Sequence, residues 1–237
     1  ENVISVYYVK RTDLSYQVDY YYDGKKDGAK TDRFENQTFG TVIDGYTDKV
    51  IEGYTFERAT TPLTIGTGDN IISVYYAKRT DLNYIVNYYK DEISMEQDGD
   101  GGYTHFLGSS NPVQATFEQG IILGRTALDA MQPDGYRGGI QTPSGPYYIK
   151  VEGNVIDVLY SPRTDLSYQV DYYYDNVRDE TKTDTFENQT FGAVISGYTD
   201  KVVDGYVLES ATAPITIGTG ENVISVYYVK RTDLSYQ

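Results

Sequence analysis

One stretch of this chain keeps returning. Asn2 to Asp23 reads NVISVYYVKRTDLSYQVDYYYD, Asn70 to Asp91 reads NIISVYYAKRTDLNYIVNYYKD, and Asn154 to Asp175 reads NVIDVLYSPRTDLSYQVDYYYD. A fourth copy begins at Asn222 and runs to Gln237. Self-similarity of this kind outweighs the one or two domains that 237 residues would otherwise suggest, because each copy is then one supersecondary unit. With Asp13, Asp81, Asp165 and Asp233 as equivalent points, the chain divides into a module 13–80, a divergent module 81–164 and a module 165–232. Residues 1–12 then read as the terminal strand of a preceding repeat, and 233–237 as the start of a following one. The expectation is a piece of a longer array. Units of 68, 84 and 68 residues bury only ~60% of their unfolded surface, so contact with neighbours is expected to matter.

The first and third modules agree at 50 of 68 positions without a gap, which implies one shared fold. Their pattern is that of strands. Tyr16, Val18, Tyr20 and Tyr22 fall on one face, with Gln17, Asp19 and Tyr21 on the other. Asp23 to Gly28 reads as a turn, and Thr31 to Phe39 as a more polar edge strand. Val42, Ile43, Tyr46, Val50 and Ile51 fit a helical spacing loosely, so a short helix is expected within 40–53. A third strand follows at Gly53 to Phe56, a short one at Thr60 to Ile65, a turn at Gly66 to Asn70, and a last strand at Ile71 to Lys78. The middle module keeps both ends but carries a polar insertion, Ile93 to Ser110. Its segment Thr126 to Gln132, with Ala127, Leu128 and Met131 as an apolar stripe, predicts a clearer helix stopped by Pro133 and Gly135.

Composition narrows function by exclusion. There is no cysteine, which removes disulfides, thiolate metal sites and cysteine nucleophiles. A net charge of −15 with no basic patch argues against nucleic acid and anionic membrane as partners. No apolar run approaches the ~20 residues of a membrane-spanning helix, so no membrane insertion is expected. Tyrosine is the outlier, 27 against 7 phenylalanines and no tryptophan. Tyrosine forms strands while its hydroxyl reaches for a polar partner, so the protein is expected to be β-rich.

The order strand, strand, helix, strand, short strand, strand describes a small α+β module, the β-grasp (ubiquitin-like) arrangement, with the first and last strands parallel at its centre. Tyr16 to Gly24, the internal Gly53-Tyr54 and Gly205-Tyr206, and the closing Ile72 to Tyr76 resemble the MucBP-type (mucin-binding-protein-like) repeats of Gram-positive surface adhesins. More broadly the pattern is similar to the β-grasp modules of mucus-binding and Rib-like proteins. That resemblance implies a secreted protein on the bacterial cell surface, attached to the cell wall through a region outside 1–237. Its tandem modules would hold a binding region away from the cell. Host mucin, other glycans or surface proteins are the partners it implies. It supplies no ligand-binding residue set to carry over.

The remaining constellations are read in their plainer sense. His105 is the only histidine and has no repeated partners, so it is expected to be a loop residue. Asp98-Gly99-Asp100-Gly101-Gly102, with Glu96 nearby, looks like part of a calcium loop, yet Ser109 stands where the loop's last acid would be. A solvated acidic turn is expected. Tyr21 and Tyr173 are the best candidates to stack on a sugar, against the alternative of packing across strands. Asn36-Gln37-Thr38 and Asn188-Gln189-Thr190 are sequons repeated by duplication. Lys49, Lys201, Lys78 and Lys230 could supply the amine of a Lys–Asn isopeptide bond, but no spacing singles them out. No catalytic residue, metal ligand or cofactor-binding residue is assigned, and no enzyme is expected.

Two functions compete. The first is a stalk of tandem modules forming an elongated rod, expected as a monomer when taken alone. The second is a glycan-binding region with module 81–164 as the ligand-contacting unit. The joint Lys10-Arg11-Thr12-Asp13-Leu14 and its copies hold no glycine, which restricts backbone freedom. A stiff connection is expected there.

Overall fold

The computed structural model describes residues 2–201 and 203–233. The start of a further repeat at 233–237 therefore lies outside the described residues from 234 onward. Strands carry nearly all of the regular structure. The first set is β1 (Leu14–Tyr22), β2 (Lys25–Lys26), β3 (Asp32–Gln37), β4 (Val42–Ile43), β5 (Tyr54–Ala59), β6 (Leu63–Thr64) and β7 (Ile71–Lys78). β1 and β7 run parallel at the centre of a five-stranded sheet, in the register Val18↔Ile72, Tyr20↔Val74 and Tyr22↔Tyr76. β2 and β3 flank β1, β5 flanks β7, and β4 and β6 form a separate two-stranded ribbon. The alternation expected of β1 is present. Val18, Tyr20 and Tyr22 are buried with Ile72, Val74 and Tyr76, and Tyr16, Ile43 and Tyr46 pack against them.

The helix expected within 40–53 does not form. Val42 and Ile43 are a strand, and residues 44–50 follow no regular structure. Tyrosine hydroxyls are the physical reason. Tyr20 donates to the Thr47 carbonyl at 2.6 Å and Tyr22 to the Lys49 carbonyl at 2.7 Å. The Lys49 amide donates to the Tyr76 hydroxyl at 2.9 Å, and that hydroxyl donates to Asp48. A helix would satisfy these backbone groups internally; here tyrosine hydroxyls of the sheet bond them and pin a largely exposed irregular segment in place. This also accounts for tyrosine where phenylalanine would otherwise serve.

The third set repeats the first: β15 (Leu166–Tyr174), β16 (Val177–Arg178), β17 (Asp184–Gln189), β18 (Val194–Ile195), β19 (Tyr206–Ala211), β20 (Ile215–Thr216) and β21 (Val223–Lys230). β15 and β21 are parallel in the same register, and Tyr172, Tyr174 and Tyr228 bond Thr199 and Lys201 as their counterparts do. Here too no helix forms between β18 and β19 among the described residues.

Between them lie β8 (Leu82–Lys90), β9 (Phe106–Ser109), β10 (Val113–Ala115), β11 (Gly120–Ile121), β12 (Ile140–Thr142), β13 (Tyr147–Tyr148) and β14 (Val155–Tyr160), in a sheet of order β10-β8-β14-β12 with β9 also on β8. The helix expected over 126–132 is a single turn, α1 (Arg125–Leu128). Tyr88 donates to the Ala127 carbonyl at its end, and the Met131 amide donates to Tyr160. Helical content is thus smaller than an α+β module implies, while the parallel central pair is present in the first and third sheets.

By compactness the chain forms two units. One holds residues 1–85, 112–121 and 146–155, the other residues 86–111, 122–145 and 156–237. Residues 2–13 belong to no strand, and Val3, Ile4, Val6, Tyr7, Tyr8 and Val9 are exposed.

Candidate functional site

The face of the first and third sheets that points away from the tyrosine core is polar, and it is built around a buried acid. Asp19 is only 2% exposed. It accepts from Lys26 Nζ at 2.6 Å, Thr31 Oγ1 at 3.0 Å and Gln17 Nε2 at 3.1 Å. Burial alone would raise its pKa, but those three bonds outweigh it and hold the carboxyl below the usual range. In the third sheet Asp171 accepts from Arg178 Nη2 at 2.8 Å and Thr183 Oγ1 at 3.1 Å, with Gln169 at 3.3 Å. The cation changes from lysine to arginine while the acid, the threonine and the glutamine stay.

A cavity opens beside Asp171, and a smaller one lies at the corresponding strand end of the first sheet, lined by Gln17 but not by Asp19. That of the third sheet holds about 570 Å³ and is lined by Gln169, Asp171, Tyr173, Arg178 and Glu221 among others. Its counterpart in the first sheet holds about 280 Å³, between Gln17, Arg33 and Asp69. The larger falls within the roughly 300–1,000 Å³ typical of small-molecule sites. Its lining offers donors, acceptors and ring edges but no strong apolar floor, which suits a polyhydroxylated ligand better than a lipid or a flat aromatic.

Tyr21 and Tyr173 do lie on this polar face, and each is already stacked across strands. Tyr21 meets Tyr75 at 4.7 Å between centroids, and Tyr173 meets Tyr227 at 4.8 Å. In the first sheet the Arg58 guanidinium covers Tyr75 at 3.7 Å. Ser210 stands opposite Tyr227 where Arg58 stands opposite Tyr75, so the third sheet lacks that cation.

The middle module closes the same face. Asn87 and Ile85 replace the acid and the glutamine, and β9 of the insertion pairs along β8. Tyr89 is buried and meets Phe106 at 5.5 Å. Asp157 is held above the usual carboxylate range by burial, partly offset by its bond with Asn87. At the insertion's tip Asp98 caps its own turn, accepting from the amides of Gly102 at 2.8 Å and Asp100 at 3.1 Å. His105 lies, half-buried, in the irregular segment that leads into β9. Its Nδ1 is 3.1 Å from the Lys90 carbonyl and its Nε2 is 3.6 Å from Glu92. Glu92, Glu96 and His105 bring one ligand atom each within 4.8 Å of one another, a set that could hold a borderline divalent ion.

The lysines considered as isopeptide donors make ion pairs with carboxylates. Lys49 and Lys201 sit 2.7 Å from Asp32 and Asp184, Lys78 sits 3.1 Å from Glu118, and Lys230 sits 2.8 Å from Asp175.

A second repeated constellation lies where one sheet follows another. Within the first unit, Phe117 lies on Gly53, whose φ is +83°, and meets Tyr54 at 5.7 Å. The Phe117 amide donates to the Arg79 carbonyl, and the Arg79 amide donates to the Gly53 carbonyl. Arg79 in turn forks onto Asp81 through two bonds of 2.9 Å. Within the second unit the same set recurs: Phe191 on Gly135 and Tyr136, with backbone bonds through Arg163 and a fork onto Asp165. The Gly-Tyr pair was legible as a repeat mark. Its phenylalanine partner was not, because Phe117 and Phe191 lie far along the chain from the glycines they cover. Also missed was Asn70, buried at 7% exposure, which locks the Gly66 turn from both sides and bonds the Ser15 carbonyl. Its recurrence as Asn154 and Asn222 was the available signal.

Among the described residues no helix is long and apolar enough to cross a membrane. No family model and no curated protein matches the chain. Among solved structures, one described as "Crystal structure of Mub-RV" is 13% identical, over 63% of this chain and 98% of that one, with a TM-score of 0.22. A likeness of that size establishes neither fold nor function, and the chain's β-rich tandem architecture stands on its own sheet order.

Proposed function

We propose that the chain is a run of tandem stalk modules from an extracellular adhesin of the bacterial surface, and that it performs no catalysis. The observation that carries this reading is the joint. Phenylalanine on glycine, two backbone bonds through an arginine and an Arg–Asp fork recur at both module boundaries. A flexible tether needs none of these, whereas a stiff spacer is served by each of them. The mixed sheet with parallel first and last strands supports reading the first and third modules as β-grasp derivatives whose helix has been replaced by a tyrosine-pinned segment. Small-angle scattering tests the reading. An elongated particle with little bending is expected, and replacing Arg79, Thr80 and Asp81 by glycines should make it bend. A compact or freely bending wild-type particle, or an unchanged length in the glycine variant, would overturn it.

A second reading is favoured by one observation, the cavity beside Asp171. There the sheet would bind a glycan through hydrogen bonds from Gln169 and Arg178. The ligand face is then that of module 165–232 rather than the insertion of module 81–164, where the Phe106 ring lies against Tyr89 of the corresponding face. A glycan array with the full chain decides: signal lost in Arg178→Ala and kept when Phe106 is changed to Ala supports it, and a blank array leaves the spacer reading.

A further inference from the structure

The insertion of the middle module packs little apolar surface, yet it gathers three side chains that can ligate a metal. Ile93, Met95 and Tyr103 are 41–51% exposed. Its outgoing and returning sides meet in the isolated bridge Gln97↔Tyr103. So small and polar an element gains little from burial, and a bound ion orders elements of this kind. Backbone bonds nonetheless fix where the ligating residues stand. The Lys90 amide donates to the His105 carbonyl at 2.9 Å, and the Thr104 amide to the Glu96 carbonyl at 3.0 Å. The Glu96 amide donates to Ser94 Oγ at 3.1 Å. Glu92 follows the end of β8, Glu96 lies on the outgoing side, and His105 lies on the returning side. One ligand atom of each is within 4.8 Å of the other two.

The histidine stands in the tautomer that a ligand needs. Its Nδ1 is 3.1 Å from the Lys90 carbonyl, and a carbonyl only accepts, so Nδ1 carries the proton. The lone pair is then on Nε2, the nitrogen that faces Glu92 at 3.6 Å. Tetrahedral zinc bonds of about 2.0–2.1 Å place two donors about 3.3–3.4 Å apart, close to that separation. The imidazole is 18% exposed and the Glu92 side chain 62%, so a seated ring faces a carboxylate free to turn toward an ion.

We propose that Glu92, Glu96 and His105 bind one zinc ion, with a fourth position left for water. One imidazole and two carboxylates suit tetrahedral zinc. They do not suit calcium, which takes six to eight oxygens. Asp91 is not the fourth ligand, because both of its carboxylate oxygens accept from the Tyr136 hydroxyl at 3.0 Å. Nor is Asp98, which accepts from the amides of its own turn. These acids and Asp100 add a negative field that draws a cation toward the site. The bound ion ties the end of β8 to both sides of the insertion and orders it. The site belongs to the middle module alone, since 13–80 and 165–232 contain no histidine.

The test is equilibrium dialysis of the full chain, stripped with a chelator, against zinc and separately against calcium. One zinc per chain is expected, and no calcium at the same concentration. His105→Ala and Glu96→Gln should each weaken zinc binding at least about tenfold. Asp100→Asn, in the neighbouring turn, should leave it unchanged. Glu96→Gln alters an exposed side chain, so it tests the site without disturbing the seat of the ring, and circular dichroism of each metal-free variant checks the fold. Zinc should also slow proteolysis within 91–105 in the wild type but not in Glu96→Gln. A wild-type chain that takes up no zinc would overturn the proposal and leave His105 and Glu92 as an ion pair only. Equal zinc binding by wild type and His105→Ala, or calcium bound as tightly as zinc, would overturn it in favour of a diffuse acidic surface. Zinc binding without protection from proteolysis would overturn the ordering role. None of these outcomes depends on the stalk or glycan readings.

Discussion

The ring of Phe117 occupies the space that a side chain on Gly53 would need: a Cβ there would stand 2.4 Å from the ring carbons. Gly53 also has a φ of +83°, so the position excludes other residues twice, once by backbone and once by contact. Gly205 shares the backbone, φ +84°, and lacks the contact. Comparing the two separates the causes. Gly205→Ala should cost about 1–2 kcal/mol from the left-handed backbone alone. Gly53→Ala should cost about 1–3 kcal/mol more, because the ring must move. Denaturant unfolding of the two variants checks this, and equal losses would mean the ring contact carries no stability.

The tyrosine hydroxyls that replace the helix make a second prediction. Tyr22→Phe keeps the ring in the core and removes the bond to the Lys49 carbonyl, so about 1–2 kcal/mol should be lost. Tyr21→Phe, on the polar face, should stay within about 0.5 kcal/mol of wild type. Similar losses at both positions in thermal unfolding would show that the hydroxyl bonds do not hold the segment.

Alkaline pH should attack the same network. Burial pushes the Tyr228 hydroxyl up to about 12, reinforced by its bond to Asp200, and burial likewise raises Tyr20, Tyr76 and Tyr172. A raised pKa contributes stability that is whole below the unfolded value near 10 and is lost as pH rises through the folded value. The chain should therefore be stable up to about pH 10, lose stability steeply toward pH 12, and release its buried phenol protons together with unfolding. Ultraviolet titration followed alongside circular dichroism reads both events; phenols ionising well before the sheets unfold would contradict the network.

The acid limb has the opposite sign. Asp19 is held below its usual value of 3.8, so its contribution is present above that pH and is lost as pH falls through the folded value. Asp19→Asn should flatten the pH dependence of unfolding below pH 3.8 and lower stability at neutral pH. An unchanged acid limb would assign the loss to other carboxylates.

Repetition and alternation were enough to place every main strand of the first and third sheets. β7 was read to the residue, the polar edge strand followed from composition, and apolar content put the first and last strands at the centre, while their parallel pairing was expected from the β-grasp arrangement. These are local properties: a period of two states which residues share a face without reference to anything distant. The helix within 40–53 was misread for a reason of the same kind. Val42, Ile43, Tyr46, Val50 and Ile51 have helical spacing, but hydroxyls of Tyr20, Tyr22 and Tyr76, contributed by other strands, satisfy that backbone. Nor does local pattern show that Asp19 gathers Lys26 and Thr31, that β9 closes the middle sheet, or that Phe117 lies on Gly53. Each joins residues brought near only by folding, through the partners that a buried polar group or an empty glycine face must find. Strand identity was therefore local information, whereas the acid site and the joints exist only once the sheets are assembled.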